Sequence, residues 1–262
     1  IMIVLLVIPF FQPNLIHNQN CILDSIVNSS LEQILPLRGF YHEEPINGLL
    51  ITSPRLAINL SSEQEVTNNI RYNDTIVYVY DNINVIDGGV LEFFNCSVYL
   101  MGNTSKIFQV TSSSELIFNS TDVRPHSNFS DTRWAITVKD SSTLKVLNSQ
   151  LESLGVNQVN NEQQGIYIKD SESIIFNSTI IGAYTAFTLE NVLDFAMNTT
   201  VITDITNSFD ISDSSNIIIG PNNSFRQITN LAFQITLSSD ILIHGNTILA
   251  PSDGTIGLAA LE

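Results

Sequence analysis

Basic residues are scarce in this chain. Ten Lys and Arg face 26 Asp and Glu, a formal net charge of −16. That balance argues against nucleic acid or an anionic membrane surface as a partner, because both are held by clustered cations. Histidine is equally thin: His17, His42, His126 and His244 share no metal-ligand spacing. No phosphate loop, thiolate pair or nucleophile elbow is present. Two cysteines, Cys21 and Cys96, allow at most one bridge, and nothing in their spacing places them together. No apolar run reaches the roughly 20 residues of a membrane-spanning helix. The longest, Ile1 to Phe11, breaks at Gln12-Pro13 and has the length of the apolar region of a secretory signal. Residues 1–20 are therefore expected to be a signal-peptide remnant, which places the chain outside the cell or on its surface.

What the chain has in abundance is repetition. An apolar pair two residues apart occurs as Ile83/Val85, Phe108/Val110, Ile136/Val138, Ile166/Ile168, Phe187/Leu189, Phe209/Ile211 and Phe233/Ile235. A five-residue polar connector follows each, and then a second pair. These are Leu91/Phe93, Leu116/Phe118, Leu144/Val146, Ile174/Phe176, Phe195/Met197, Ile217/Ile219 and Ile241/Ile243. Residues at i and i+2 share one face of a strand, so each unit predicts strand, turn, strand. The connectors, such as TSSSE, KDSST and SDSSN, are rich in the Ser, Asp and Asn that turns favour. Successive units lie 21 to 30 residues apart, the period of a solenoid. The residues favour strand over helix, and the leucine-dense consensus of leucine-rich repeats is missing.

An asparagine follows each second pair: Asn95, Asn119, Asn148, Asn177, Asn198, Asn222 and Asn246. Stacked coils would bring these amides together as a hydrogen-bonded ladder. Segments such as GIYIKDSESIIFNSTI (165–180), FDISDSSNIIIGPNNSF (209–225) and FQITLSSDILIHGNTI (233–248) resemble the short repeats of the right-handed parallel β-helix, or pectin-lyase-like, superfamily. The expected fold is all-β: a right-handed parallel β-helix of about seven to nine coils built by a single chain. That resemblance is specific for fold and unspecific for function, since the superfamily spans lyases, hydrolases, adhesins and structural proteins.

Residues 21–75 are expected to form an N-terminal cap and irregular first coils, with a capped short helix after Asn28-Ser29-Ser30. The β-helix proper is expected over 76–262. An eighth unit opens at Ile256/Leu258 and breaks off at Glu262, so the helix reads as truncated at its C-terminus. Ten N-glycosylation patterns occur. Those at ladder asparagines would disrupt the stack, which leaves Asn28, Asn59, Asn73, Asn103 and Asn128 as glycan candidates.

The outward residues of the first strands, Asn84, Gln109, Thr137, Tyr167, Thr188, Asp210 and Gln234, include one acid. Enzymes of the superfamily usually gather carboxylates there, with or without calcium, so the resemblance implies no clear catalytic centre here. The weak catalytic candidates are the connector acids Asp140, Asp170 and Asp213, which stack in one column and could share a proton or hold calcium. The alternative is that each caps its own turn. No cofactor beyond that calcium is implied. Two consecutive long coils, through STDVRPHSNFSDTRWA and SQLESLGVNQVNNEQQG, should project side by side. They carry the candidate ligand-binding residues Trp134, Arg133, Asp131, His126 and Arg124, an aromatic with polar neighbours that suits a sugar. An apolar outward stripe, Ile117/Ile175/Ile218/Leu242, suggests self-association or cover by other chain. The reading is a secreted or surface β-helix that binds carbohydrate or a cell-surface protein, with a polysaccharide lyase or glycoside hydrolase as the alternative.

Overall fold

The computed structural model describes residues 56–156 and 160–249, and the backbone of 257–261. The expected signal segment, Cys21, Asn28 and the short helix expected after Ser30 lie outside the described residues, as do the side chains of the eighth unit. Nearly every described segment is a parallel strand in a solenoid of about eight coils, with an eight-stranded sheet formed by the second strand of each coil. Paired strands repeat the expected register: Ile136 sits between Phe108 and Ile166, and Val138 between Val110 and Ile168. Regular pairing starts upstream of the expected boundary, for Ala57–Leu60 already pairs with Ile76–Val79 and Gln64–Val66 with Ile83–Val85. Residues 57–73 are thus ordinary coils.

Each coil holds a third strand that the apolar pairs do not announce. It runs through Ile76–Val79, Ser97–Leu100, Asp122–Pro125, Gln150–Glu152 and Thr179–Ile181. In most of these only one apolar residue points inward, such as Val123, Leu151 or Ile180, each fully buried. The two longest strands, Val201–Ser212 and Ser224–Thr236, pass from the third sheet into the first without a break, so the two sheets join through them.

The interior is a set of columns running along the axis. Phe93 stacks on Phe118 at 5.5 Å, and Phe187, Phe209 and Phe233 stack in sequence at 4.9 and 5.5 Å. Burying each such side chain contributes about 1.5–3 kcal/mol, which a single coil could not achieve alone.

One unit departs from the expected pattern. Leu144 pairs with Ser173, and Ser173 in turn with Phe195. Ser173 and Ile175 therefore point inward, at 2% and 1% exposure, while Ile174 and Phe176 point out. Two residues, Asp140 and Ser141, take left-handed φ in the preceding connector, but here only Asp170 does. The connector is one residue shorter, and with a side-chain period of two that reverses every side chain of the strand. The outward stripe consequently runs through Ile117, Lys145, Ile174, Ala196, Ile218 and Leu242, and Ile175 belongs to the core.

The asparagine ladder is also rearranged. The corner between second and third strands is a column of left-handed residues, Asp74, Asn95, Ser120, Asn148, Asn177, Thr199, Asn222 and Gly245, with φ between 46° and 64°. Asn95, Asn148, Asn177 and Asn222 sit there with exposed side chains, because Asn tolerates that backbone best among residues with a Cβ. Asn119 and Asn198 lie one residue earlier, at strand ends. Some amides do bond along the stack on the outside: Asn177 Nδ2 donates to Asn148 Oδ1 at 2.8 Å, and Asn95 Nδ2 to Asp74 Oδ1 at 2.5 Å.

The buried ladder is the next residue on. Thr121 Oγ1 accepts from Cys96 N, Ser149 Oγ from Thr121 N, Ser178 Oγ from Ser149 N, Asn223 Oδ1 from Thr200 N, and Asn246 Oδ1 from Asn223 N. Only Asn246 of the seven expected asparagines belongs to it. The connector holds a matching ladder, in which Ser114, Ser142, Ser171, Ser214 and Ser238 each accept a backbone N–H from the coil before. At a corner the inward N–H has no strand partner, and a small hydroxyl supplies the acceptor that a buried donor needs. Cys96 occupies a rung, its buried thiol 3.3 Å from the carbonyls of Tyr72 and Phe94.

Candidate functional site

The two long coils interrupt the solenoid at one corner, between third and first strands, and each carries a short 3-10 turn: Ser127–Phe129 and Asn161–Gln163. They stand on consecutive coils, as the sequence implied. Gly155 closes the second loop. Its N–H donates to Trp134 O at 2.6 Å, its φ is +66°, and an added Cβ would lie 1.7 Å from Gln164 O. Glycine is required there. The 161–163 turn then lies over the first sheet, with Thr137 Oγ1 donating to Glu162 O at 3.3 Å.

Trp134 is not a surface residue. It begins its strand with the ring turned into the barrel, 1% exposed, in edge contact with Phe108 at 5.3 Å and Phe118 at 6.4 Å. Its Nε1 donates to Glu152 O at 2.7 Å. It shares the inward parity of the core pair Ile136 and Val138. No face of the indole is open to stack on a sugar.

The other four expected ligand residues divide between two places. Arg124 and His126 lie on the outer face of the third sheet, with Tyr78 and Tyr99. The tyrosine rings stack at 5.7 Å, the Arg124 guanidinium sits 5.5 Å over Tyr99, and His126 meets Tyr99 edge-on at 5.7 Å. Arg124 also pairs with Asp122 at 3.2 Å. Burial pushes the Asp122 carboxyl up, and Arg124 only partly offsets it. Arg133 is at the corner, its Nη1 donating to Gly182 O at 3.0 Å, and Asp131 is exposed on the loop between. Tyr78 and Tyr99 belong to the third strand and were missed with it. The signal available was their position in the VYVY and VYL segments, with valines and leucine alternating inward.

Under the loops a cavity of about 120 Å³ opens at the corner, lined by Asn82, Ser105, Lys106, Ile107, Arg133, Trp134, Ala135, Val156 and Gln163. Beside it the outer face of the first sheet carries a charged cluster. Lys139 pairs with Glu162 and Lys169 with Glu190, both at 2.5 Å, and Tyr167 Oη donates to Glu190 Oε2 at 2.6 Å. Lys169 and Tyr167 together hold the Glu190 carboxyl below its ordinary range. Burial, then the bond to Glu190, pushes the Tyr167 phenol up. Two coils on, burial raises the pKa of Asp210, which lies in register with Thr188 on the outward side of its strand.

Asp140, Asp170 and Asp213 are exposed at connector corners with φ of 57°, 49° and 49°. Asp170 Oδ1 accepts from Asn191 Nδ2, and Asp170 O from Ser141 N. These contacts are those of turn residues chosen for left-handed backbone. Among the described residues no three His, Cys, Asp or Glu side chains come together in a way that could hold a metal ion.

Comparison with family models, with curated proteins and with solved structures returns no match for this chain.

Proposed function

We propose that this chain is a secreted or cell-surface solenoid that binds an extended polar ligand, glycan in chemistry, across the outer face of its first sheet beside the two long loops. The observation that carries the reading is the face itself. Gln109, Thr137, Tyr167, Thr188, Asp210 and Gln234 form a file of polar side chains one strand spacing apart, about 4.8 Å, in which Thr137, Tyr167 and Thr188 are buried while Gln109 at one end and Asp210 and Gln234 at the other reach solvent. Open polar groups on both sides of a stretch that the second loop covers suit an extended ligand, and sites on loops held by a rigid scaffold are where binding concentrates. Membership of the pectin-lyase-like superfamily is the finer reading of the fold and part of the same proposal.

A catalytic role in glycan cleavage is the second reading, favoured by the partly buried Asp210 two coils from the Tyr167–Glu190 pair. A glycan array probed with the whole chain, together with assays for new reducing ends and unsaturated uronides, separates the two. Binding that weakens in Gln109→Ala and Gln234→Ala, without cleavage, is expected. Cleavage lost in Asp210→Asn or Asp170→Ala would overturn the binding role.

A further inference from the structure

We propose that the corner cavity is a binding pocket for a carboxylate group. Its walls are unusual for so acidic a chain. Among the described residues that line it, Lys106 and Arg133 are cationic, Asn82, Ser105 and Gln163 are neutral and polar, and none is acidic. Elsewhere among the described residues five of six cations are matched, the exception being Arg226, whose Nε donates to Ser224 Oγ at 2.9 Å. Arg71, Arg124, Lys139, Lys145 and Lys169 each lie within 4 Å of a carboxylate. Lys106 and Arg133 have no such partner among the described residues, yet they meet at one cavity.

Their hydrogen bonds leave capacity. Arg133 gives one N–H to Gly182 O, which leaves most of a five-donor fork. Lys106 is 2% exposed, and its ammonium is held by Thr104 O at 2.9 Å and Thr104 Oγ1 at 2.5 Å, both neutral acceptors. Burial lowers its pKa, and the charge of Asp81 offsets part of that. A positive charge kept in a poorly solvated wall creates a potential that an anion relieves, and the attraction is stronger there than in water. Asn82 Oδ1 accepts Ile107 N–H at 2.9 Å, which fixes the amide and leaves its Nδ2 as a further donor.

Shape narrows the class. Ile107, Trp134, Ala135 and Val156 supply apolar lining beside the donors, which suits a group with a charged end and a carbon end. The volume is several times the roughly 10–15 Å³ that one water needs. It is well below the roughly 300 Å³ of a pocket enclosing a drug-sized molecule. A carboxylate with a few carbons fits, either free or as the charged end of something larger.

The test is a titration of the whole chain with sodium acetate, against sodium chloride at equal ionic strength, followed by amide and indole NMR signals. Saturable shifts are expected at Ile107 N–H and at Trp134 Nε1–H, the one indole in the protein. Arg133→Gln should weaken acetate by about tenfold or more, the loss of a charge-assisted hydrogen bond. Arg226→Gln, which removes an arginine that also lacks a carboxylate partner but lies away from the cavity, should change nothing. If Arg133→Gln unfolds the corner, Arg133→Lys keeps the charge, loses the fork and should still weaken binding. A glucuronate-bearing oligosaccharide that binds more tightly than acetate, while its neutral counterpart leaves the cavity signals unmoved, identifies a pendant carboxylate; equal affinities identify a free one. Shifts that match chloride, or acetate binding unchanged in both Arg133 variants, would overturn the proposal. A blank glycan array would remove the binding-face reading and leave this titration to be judged on its own.

Discussion

Replacing Trp134 with alanine separates a core indole from a surface one. Aromatic-to-alanine truncations in cores cost roughly 3–5 kcal/mol, and the cost rises where the cavity cannot collapse. Here the vacated space is walled by Phe108 and Phe118, both fully buried, on strands tied to the coils on either side. Little collapse is available, so about 4–5 kcal/mol is expected. Trp134→Phe keeps a ring against those neighbours but leaves Glu152 O without its indole donor, at about 1–2 kcal/mol. Urea unfolding followed by circular dichroism gives both values. Repeat arrays can lose cooperativity, so emission from the one tryptophan, which reports on this coil alone, should be read beside it. Native emission should be blue-shifted and resistant to acrylamide quenching. A change below about 0.5 kcal/mol for Trp134→Ala, the range of ordinary surface substitutions, would refute the placement, as would a readily quenched indole.

The remaining predictions concern the ladders and the acids. Ser142→Ala leaves the Ser114 N–H without its side-chain acceptor in a buried corner, and denaturant titration should show a loss of about 1–3 kcal/mol; no loss would mean that the hydroxyl is not a rung. Glu190 has a depressed carboxyl pKa, so its contribution to stability is complete above the ordinary carboxylate range and is lost as pH falls through the folded value. Carboxyl NMR titration should show that pKa rising in Lys169→Met, and also in Tyr167→Phe; an unmoved value in both would sink the assignment. Asp210 has the opposite sign: its raised pKa means that ionisation costs stability at neutral pH, a cost relieved as pH falls through the folded value. Asp210→Asn should therefore stabilise the chain at pH 7, with the gain shrinking in acid, and a variant less stable at pH 7 would contradict this.

The sheets carrying paired apolar residues were legible because two inward residues in a row leave an unmistakable period. From Asp122–Pro125 onward the third strand was not, since a strand with one inward residue, such as Gln150–Glu152, has no period to show. Ser173 misled for a related reason: Ile174 and Phe176 fit the apolar pattern better than Ser173 and Ile175, and only a connector one residue shorter decides between them. The serine rungs were hidden among other connector serines, because the chosen one is set by which residue follows the left-handed corner. Trp134 lay two residues before a recognised pair, with the parity of the core, but its neighbours in sequence were loop residues. That the two long coils would stand side by side was readable from their adjacency. What lies between them was not, since the cavity depends on Gly155 and on where Val156 and Gln163 meet, Val156 N donating to Gln163 O at 2.9 Å.

The strands Val201–Ser212 and Ser224–Thr236 cross the same corner where, earlier along the axis, the long loops emerge. The solenoid thus contains two versions of one joint: a continuous strand, and an opening through which chain can be paid out. Because closing a flexible loop costs only about 0.6 kcal/mol for each doubling of its length, that joint is the place where a coil can grow without disturbing the ladders or the core columns. New binding loops would be grafted most cheaply there, onto the upper coils, whose corner carries none.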